Sequence, residues 1–246
     1  MTGASSGLGR AVALKYASAG STVAATARNR EALETLMRDA KPLRGRIVAF
    51  AADVTDASAL GDAATQIEAT LGPIDLAILN AGTHEPVDMT RPDMAVFERL
   101  LRVNVLGAVN GFAAVLPAML TRKRGRICVV ASVAGYRGLP TAAAYGASKA
   151  ALINMAEAAR LELAPRGIDV RLVNPGFVRT PLTDRNPFPM PFLMEADAAA
   201  ERVWRGLEHG RRFEITFPRR FTWMLKLLRA LPYAAYFALV TRRIRP

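Results

Sequence analysis

The chain has 246 residues, 51% apolar and 22% charged, with a mean hydropathy of +0.15 and a single cysteine, Cys128. It is too apolar for disorder and long enough for one α/β domain with a large core, and its one thiol excludes a disulfide framework or a cysteine-built zinc site. The formal charge of +12 is uneven: residues 211–246 hold nine Lys/Arg and one acid, Glu214, leaving only +4 for the other 210 residues, so a local anionic partner of the tail is expected, not a nucleic-acid-binding body.

No metal site is expected. One free thiol suits a reducing cytoplasm. Residues 1–20 lack a signal-peptide profile. The uncharged stretch Ala230–Thr241 has 12 residues and contains Pro232, short of the roughly 20 needed for a membrane span.

In chain order, Thr2-Gly3-Ala4-Ser5-Ser6-Gly7-Leu8-Gly9 reads as a strand-to-helix phosphate turn, with glycines for the tight bend, the close approach to a pyrophosphate and the packing of the next helix. Such a turn normally follows a strand, yet only Met1 and Thr2 precede it. The expectation is that Met1 is an internal residue near the end of a longer first strand. Extended runs then fall at Ser21–Ala27, Arg46–Ala52, Ile74–Leu79, Arg126–Ala131, Asp169–Val173 and Glu214–Phe217. They are short and apolar throughout, as strands covered on both faces should be. Helical patterns alternate with them at 8–19, 30–40, 56–70, 93–123, 145–164 and 195–209. This alternation predicts a single-domain α/β fold, a doubly wound, Rossmann-like parallel sheet. The domain is expected over 1–217, followed by a basic amphipathic tail over 218–246.

Several short signatures sit at strand ends. Asn80-Ala81-Gly82 closes one apolar run, Ser132 another and Asn174-Pro175-Gly176 a third, while Tyr145-Gly146-Ala147-Ser148-Lys149 opens a helix and Asn104 lies inside one. Together with Thr2–Gly9, their order and spacing resemble the short-chain dehydrogenase/reductase family over residues 2 to about 217. The resemblance implies a nicotinamide-dependent oxidoreductase acting on a carbonyl or secondary alcohol. It makes Asn104, Ser132, Tyr145 and Lys149 the catalytic residues, with Lys149 also on the nicotinamide ribose and Asn104 holding a relay water. Cofactor contacts are expected at Gly3, Ser5, Ser6, Gly7, Leu8, Gly9, Arg28, Asp53, Val54, Asn80, Ala81, Gly82, Tyr145, Lys149, Pro175, Gly176, Val178 and Thr180. Among these, Asp53-Val54 match the adenine-contacting pair, and Thr180 matches the residue on the nicotinamide amide. A homo-oligomer through the helices at 93–123 and 145–164 is implied as well.

The chemistry of the residues agrees. Tyr145 and Lys149 are one helical turn apart and share a face. A phenol titrates near pH 10, and a neighbouring ammonium and an oxidised nicotinamide would both lower that value. Tyr145 can then protonate a carbonyl oxygen as hydride reaches carbon, with Ser132 hydrogen-bonding that oxygen. At the end of the second strand, Ala27 stands where an NAD-selecting acid would be and Arg28 follows, so NADP(H) is favoured over NAD(H), with no carboxylate to repel a 2′-phosphate. Alternatively, Arg28 simply snorkels over the sheet end.

Pro181–Met194, with Phe188, Met190, Phe192, Leu193 and Met194, matches the family's substrate lid. An apolar lid suits a lipophilic small-molecule substrate, or those side chains merely pack down on the domain. His84 reads as a loop histidine or as a lining of the pocket mouth. In the tail, a helix over 219–231 would set Arg219, Thr222, Lys226 and Arg229 against Phe221, Met224, Leu225, Leu228 and Leu231, with Trp223 near the boundary. Such helices over 219–245 contact an anionic membrane surface, placing the protein peripherally on the inner face, or else pack on the domain or an oligomer interface. No nucleic-acid partner is expected, because the bases alternate with bulky aliphatics. The alternative function is a catalytically weak nucleotide-binding or membrane-tethered interaction protein on the same fold.

Overall fold

A computed structural model describes residues 1–185 and 190–244. Among the described residues, six parallel strands, β1 (Thr22–Ala27), β2 (Arg46–Ala51), β3 (Leu76–Leu79), β4 (Gly125–Val130), β5 (Ile168–Pro175) and β6 (Glu214–Phe217), each lie within two residues of an expected run. Between them run α1 (Gly7–Ser18), α2 (Arg30–Ala40), α3 (Ala57–Leu71), α4 (Met94–Leu100), α5 (Gly107–Thr121), α6 (Ala143–Leu163) and α7 (Ala196–Glu208). The tail forms α8 (Arg219–Ala230) and α9 (Tyr233–Ile244).

Period-two alternation along the strands divides the core. Ile78, Cys128, Val130 and Val173 pack with α1, α2 and α7 on one side. Leu79, Ile127, Val129 and Leu172 pack with α5, α6 and α8 on the other. Both faces are therefore covered, which explains why the strands read as apolar throughout.

The sheet is not one continuous ladder. β1 pairs with β2, and β3–β4–β5–β6 form a second group. The expected first strand is represented by Met1 and Thr2: the Thr26 N–H donates to the Met1 carbonyl (2.8 Å), and the Thr2 N–H to the Ile78 carbonyl (3.0 Å). Two residues suffice for a bridge at one end. Beyond them a cavity of about 450 Å³ separates β1 from β3, lined in part by Thr22, Val23, Ala24, Leu76 and Ala77.

The helix expected over 93–123 is interrupted. Leu101–Leu106 winds as a π-helix between α4 and α5. The reason is local: Asn104 is fully buried and bonded on both sides of its amide, to Thr83 and to Ser148, and a wider turn brings it inward at no loss of backbone bonds. The run Met94–Thr121 is long and apolar enough to cross a membrane by length and composition. Its inner side, with Leu100, Ala108, Gly111, Val115 and Met119, is instead buried against the rest of the domain.

The amphipathic division expected for the tail is only partly observed. Phe221 and Leu225 are buried, as is Tyr236 of α9, so one side of the tail packs on the domain. Thr222, expected on the polar face, is buried and donates to the Pro218 carbonyl. Lys226 pairs with Glu214. The outward side carries Trp223 and Leu227.

Candidate active site

The carboxyl ends of the strands converge on a cleft of about 880 Å³, where ligands of open α/β sheets sit. Its floor is stitched from two turns. The Thr2 hydroxyl accepts the N–H groups of Asn80 (3.0 Å) and Ala81 (3.2 Å), while the Asn80 amide donates to the carbonyls of Thr2 (3.3 Å) and Gly3 (3.2 Å). Closeness demands glycine here. A Cβ on Gly9 would lie 2.1 Å from the Gly3 carbonyl oxygen, and one on Gly3, at φ +66°, 2.7 Å from the Ala81 Cα. Ser6 precedes α1 in extended backbone without a side-chain cap bond, so the first N–H groups of α1 stay open to an anion. Room, bare backbone and an uncapped helix start fit a pyrophosphate-bridged dinucleotide.

Of the expected cofactor residues, Gly3, Ser5, Ser6, Gly7, Leu8, Gly9, Arg28, Asp53, Val54, Asn80, Ala81, Gly82, Pro175, Gly176, Val178 and Thr180 all line this cleft, as do Ser132, Tyr145 and Lys149. Asn104 alone does not; it lies directly behind. A Cβ on Gly82 would stand 3.3 Å from both the Asn104 Oδ1 and the Lys149 Nζ, so the two side chains converge there.

Ser132 lies two residues beyond β4 and accepts the Ala134 N–H at 3.1 Å, which fixes its hydroxyl over the cleft. Lys149 is buried and donates to the Val130 carbonyl at 3.2 Å; its Nζ lies 5.5 Å from the Tyr145 ring centre. Burial pulls the Lys149 ammonium down to about 8. The expected acidification of Tyr145 is not found in the chain alone. Burial raises the phenol, and its hydrogen bond with Ser132 works the other way. The ammonium is turned to a backbone carbonyl, not to the phenol oxygen.

A second correction concerns Arg28. No acid follows β1 in sequence, but the fold brings Asp53 from the end of β2 to 3.6 Å from the guanidinium, which is largely exposed. Burial raises the Asp53 carboxyl, but bonds from the Thr55 N–H and hydroxyl, together with Arg28, outweigh it and hold the group below its usual value. A carboxylate is thus present after all, beside Arg28.

Ser148 and Thr183 were not foreseen, and other residues gain definite neighbours. Ser148 accepts from the Asn104 amide at 2.9 Å and donates to the Tyr145 carbonyl at 2.7 Å. His84 stacks edge-on against Tyr145 at 4.6 Å, although it is not among the residues that line the cleft. Thr183 ties down Thr180, whose N–H donates to the Thr183 hydroxyl at 3.0 Å. Phe221, from the tail, abuts Gly176, where an added Cβ would meet its ring at 3.0 Å. Within the segment expected as a lid, Phe192 is half-exposed and lies 6.0 Å from Phe221, which in turn lies 5.5 Å from Phe177. Phe188 lies outside the described residues.

This geometry finds counterparts among known proteins. The family model for short chain dehydrogenase matches residues 1–187. The chain belongs to the short-chain dehydrogenase family. An uncharacterized oxidoreductase of Myxococcus xanthus is 38% identical over 245 residues, spanning 100% of this chain and 96% of its own. A 3-oxoacyl-(acyl-carrier-protein) reductase of Thermotoga maritima is 35% identical over 187 residues, 76% of each chain. Among solved structures, a short-chain dehydrogenase from Sphingobium yanoikuyae in complex with NADPH superposes with a TM-score of 0.80 at 26% identity, covering 95% of this chain and 96% of that one. This short-chain dehydrogenase is an NAD(P)-dependent oxidoreductase of Rossmann-like fold.

Proposed function

We propose that the protein transfers a hydride between NADP(H) and a carbonyl or secondary alcohol of a lipophilic substrate, with Tyr145 as general acid and base. The observation that carries this reading is the convergence of Ser132, Tyr145 and Lys149 on the glycine-lined cleft. When bound, the nicotinamide gives or takes the hydride and, oxidised, adds the positive charge that favours phenolate. Tyr145 delivers a proton to the carbonyl oxygen, and Ser132 holds that oxygen as its charge grows. Lys149 binds the ribose and restores the proton, and Asn104, fixed by Thr83 and Ser148, positions the water that feeds it.

Arg28 supports the preference for NADP(H). Its exposed guanidinium, held only by a long contact with Asp53, would be free to bind a 2′-phosphate through charge-assisted bonds. The Phe177, Phe192 and Phe221 cluster beside Gly176 supports an apolar substrate. Exposed Leu101, Leu106, Val109 and Leu161, on the π-turn, α5 and α6, support a homo-oligomer through those helices. Cytoplasmic residence goes with the buried free thiol of Cys128.

The test is a fluorescence titration with NADPH and NADH, followed by assay on a panel of acyl, steroid and aromatic ketones. NADPH is expected to bind at least about tenfold tighter than NADH, the difference of one charge-assisted contact. Tyr145→Phe is expected to keep NADPH binding within about threefold while kcat drops about 10²–10⁴-fold. An undiminished rate removes Tyr145 from the chemistry. Binding without turnover in the wild-type chain favours the nucleotide-binding alternative.

A further inference from the structure

The sole acid among residues 211–246 is Glu214, and it is consumed internally: Tyr136, Asn174 and Lys226 all bond to its carboxylate. The tail is clamped to the domain from the same side. The Arg137 guanidinium donates to the carbonyls of Leu228, Arg229 and Leu231 at the end of α8, and stacks 4.8 Å and 4.3 Å from the rings of Tyr233 and Tyr236. What α8 and α9 turn outward is therefore fixed in place and has no negative charge of its own.

That outward side is apolar and basic. Trp223 and Leu227 are 67% and 68% exposed, and Tyr233 and Phe237 are 73% and 59% exposed. Each pair is four residues apart and so shares one side of its helix. Arg220 lies three residues before Trp223 on the same face. Arg219 and Arg220 are exposed and form no ion pair among the described residues. Exposed aromatics next to unpaired bases match the boundary between anionic headgroups and acyl chains, where rings sit shallowly and bases meet phosphates. A second copy of this chain would bring like charges together on this face.

We propose that the outward side of α8 and α9 is a docking surface for an anionic lipid bilayer. The inference is independent of the reaction and of the cofactor preference. It gives the tail a role that the cleft does not use.

The chain has two tryptophans, and Trp204 is part of the domain, edge-on to His209 with Lys15 over its ring. A Trp204→Phe chain thus makes Trp223 the only indole. On vesicles containing phosphatidylglycerol its emission is expected to shift blue and to be quenched by brominated acyl chains, with neither effect on phosphatidylcholine alone or at high salt. In flotation with the full-length protein, Arg219→Gln/Arg220→Gln and, separately, Trp223→Ser/Leu227→Ser are each expected to lower vesicle binding about tenfold or more, with NADPH affinity unchanged. Flotation that ignores anionic lipid, or that neither double variant weakens, overturns the proposal. So does a dimer, seen by light scattering, that Trp223→Ser/Leu227→Ser dissolves, because the face is then a subunit interface. Should that variant fail to fold, the arginine variant and the lipid series decide.

Discussion

The two ends of the cleft are built by different means. The cofactor end is backbone: glycines where no side chain fits, a helix start left uncapped, and two strand-end turns bonded to each other through Thr2 and Asn80. The proposed substrate end is side chain: Phe177, Phe192 and Phe221, grouped beside Gly176 at the edge of the cleft and drawn from three separate segments, one of them the tail. Backbone geometry tolerates almost no substitution but is indifferent to what lies elsewhere. A wall of rings tolerates exchange and depends on every segment that supplies it. The cofactor end should therefore fail sharply and locally, the substrate end gradually and from a distance.

Lys149 sits at the junction and gives the largest effect. Its ammonium is brought by burial from 10.5 to about 8, so between those values the unfolded chain binds more protons than the folded one. Stability then rises with pH through this window, and below pH 8 the full penalty is present, about 3 kcal/mol. Lys149→Met removes the charge and also the bond to the Val130 carbonyl, worth about 1 kcal/mol. The expected outcome is a kcat lower by about 10²–10⁴-fold in a cofactor-free protein about 2 kcal/mol more stable at pH 7, an advantage that vanishes toward pH 10.5. Calorimetry across that range checks it; a variant less stable at pH 7 means that burial of the ammonium is not the dominant cost.

Gly9→Ala examines the backbone end. With 2.1 Å between the new Cβ and the Gly3 oxygen, either the turn or α1 must move. Overpacking of this kind costs about 1–3 kcal/mol, so the NADPH dissociation constant should rise about 10–100-fold while the apolar substrate's KM at saturating cofactor stays put. Equal damage to both constants, measured by titration and steady-state kinetics, would blur the distinction between the two ends.

Why one end was legible and the other not follows from the same difference. The glycine turn, Asn80-Ala81-Gly82 and Tyr145–Lys149 act through spacing within one segment, and spacing is what a sequence displays. The strands were legible because both their faces are buried. The π-turn at Leu101–Leu106 was not: the apolar pattern runs through it unbroken, and its cause is a set of bonds from Asn104 to Thr83 and Ser148. Asp53 beside Arg28 was hidden because adjacent parallel strands join residues 25 apart. The tail was read by its own periodicity, which cannot foresee that Thr222 would be buried or that Lys226 would find Glu214.

Arg137→Ala tests whether the tail belongs to the substrate end at all. Arg137 follows the Ser132–Tyr136 turn and holds three carbonyls at the end of α8 together with two rings of α9. Its loss leaves those carbonyls to water and removes two cation–π contacts, about 1–2 kcal/mol in all because the site is partly solvated. The midpoint should fall by about 2–8 °C, and limited proteolysis should begin within α8–α9. Since Phe221 leans on Gly176 and Phe192, loosening α8 should raise the KM for an apolar ketone about two- to fivefold, within the cost of a slightly mispacked ring, and leave NADPH affinity alone. An unchanged KM in a protein whose tail is demonstrably loosened would confine the tail to docking and return the substrate wall to Phe177 and the lid.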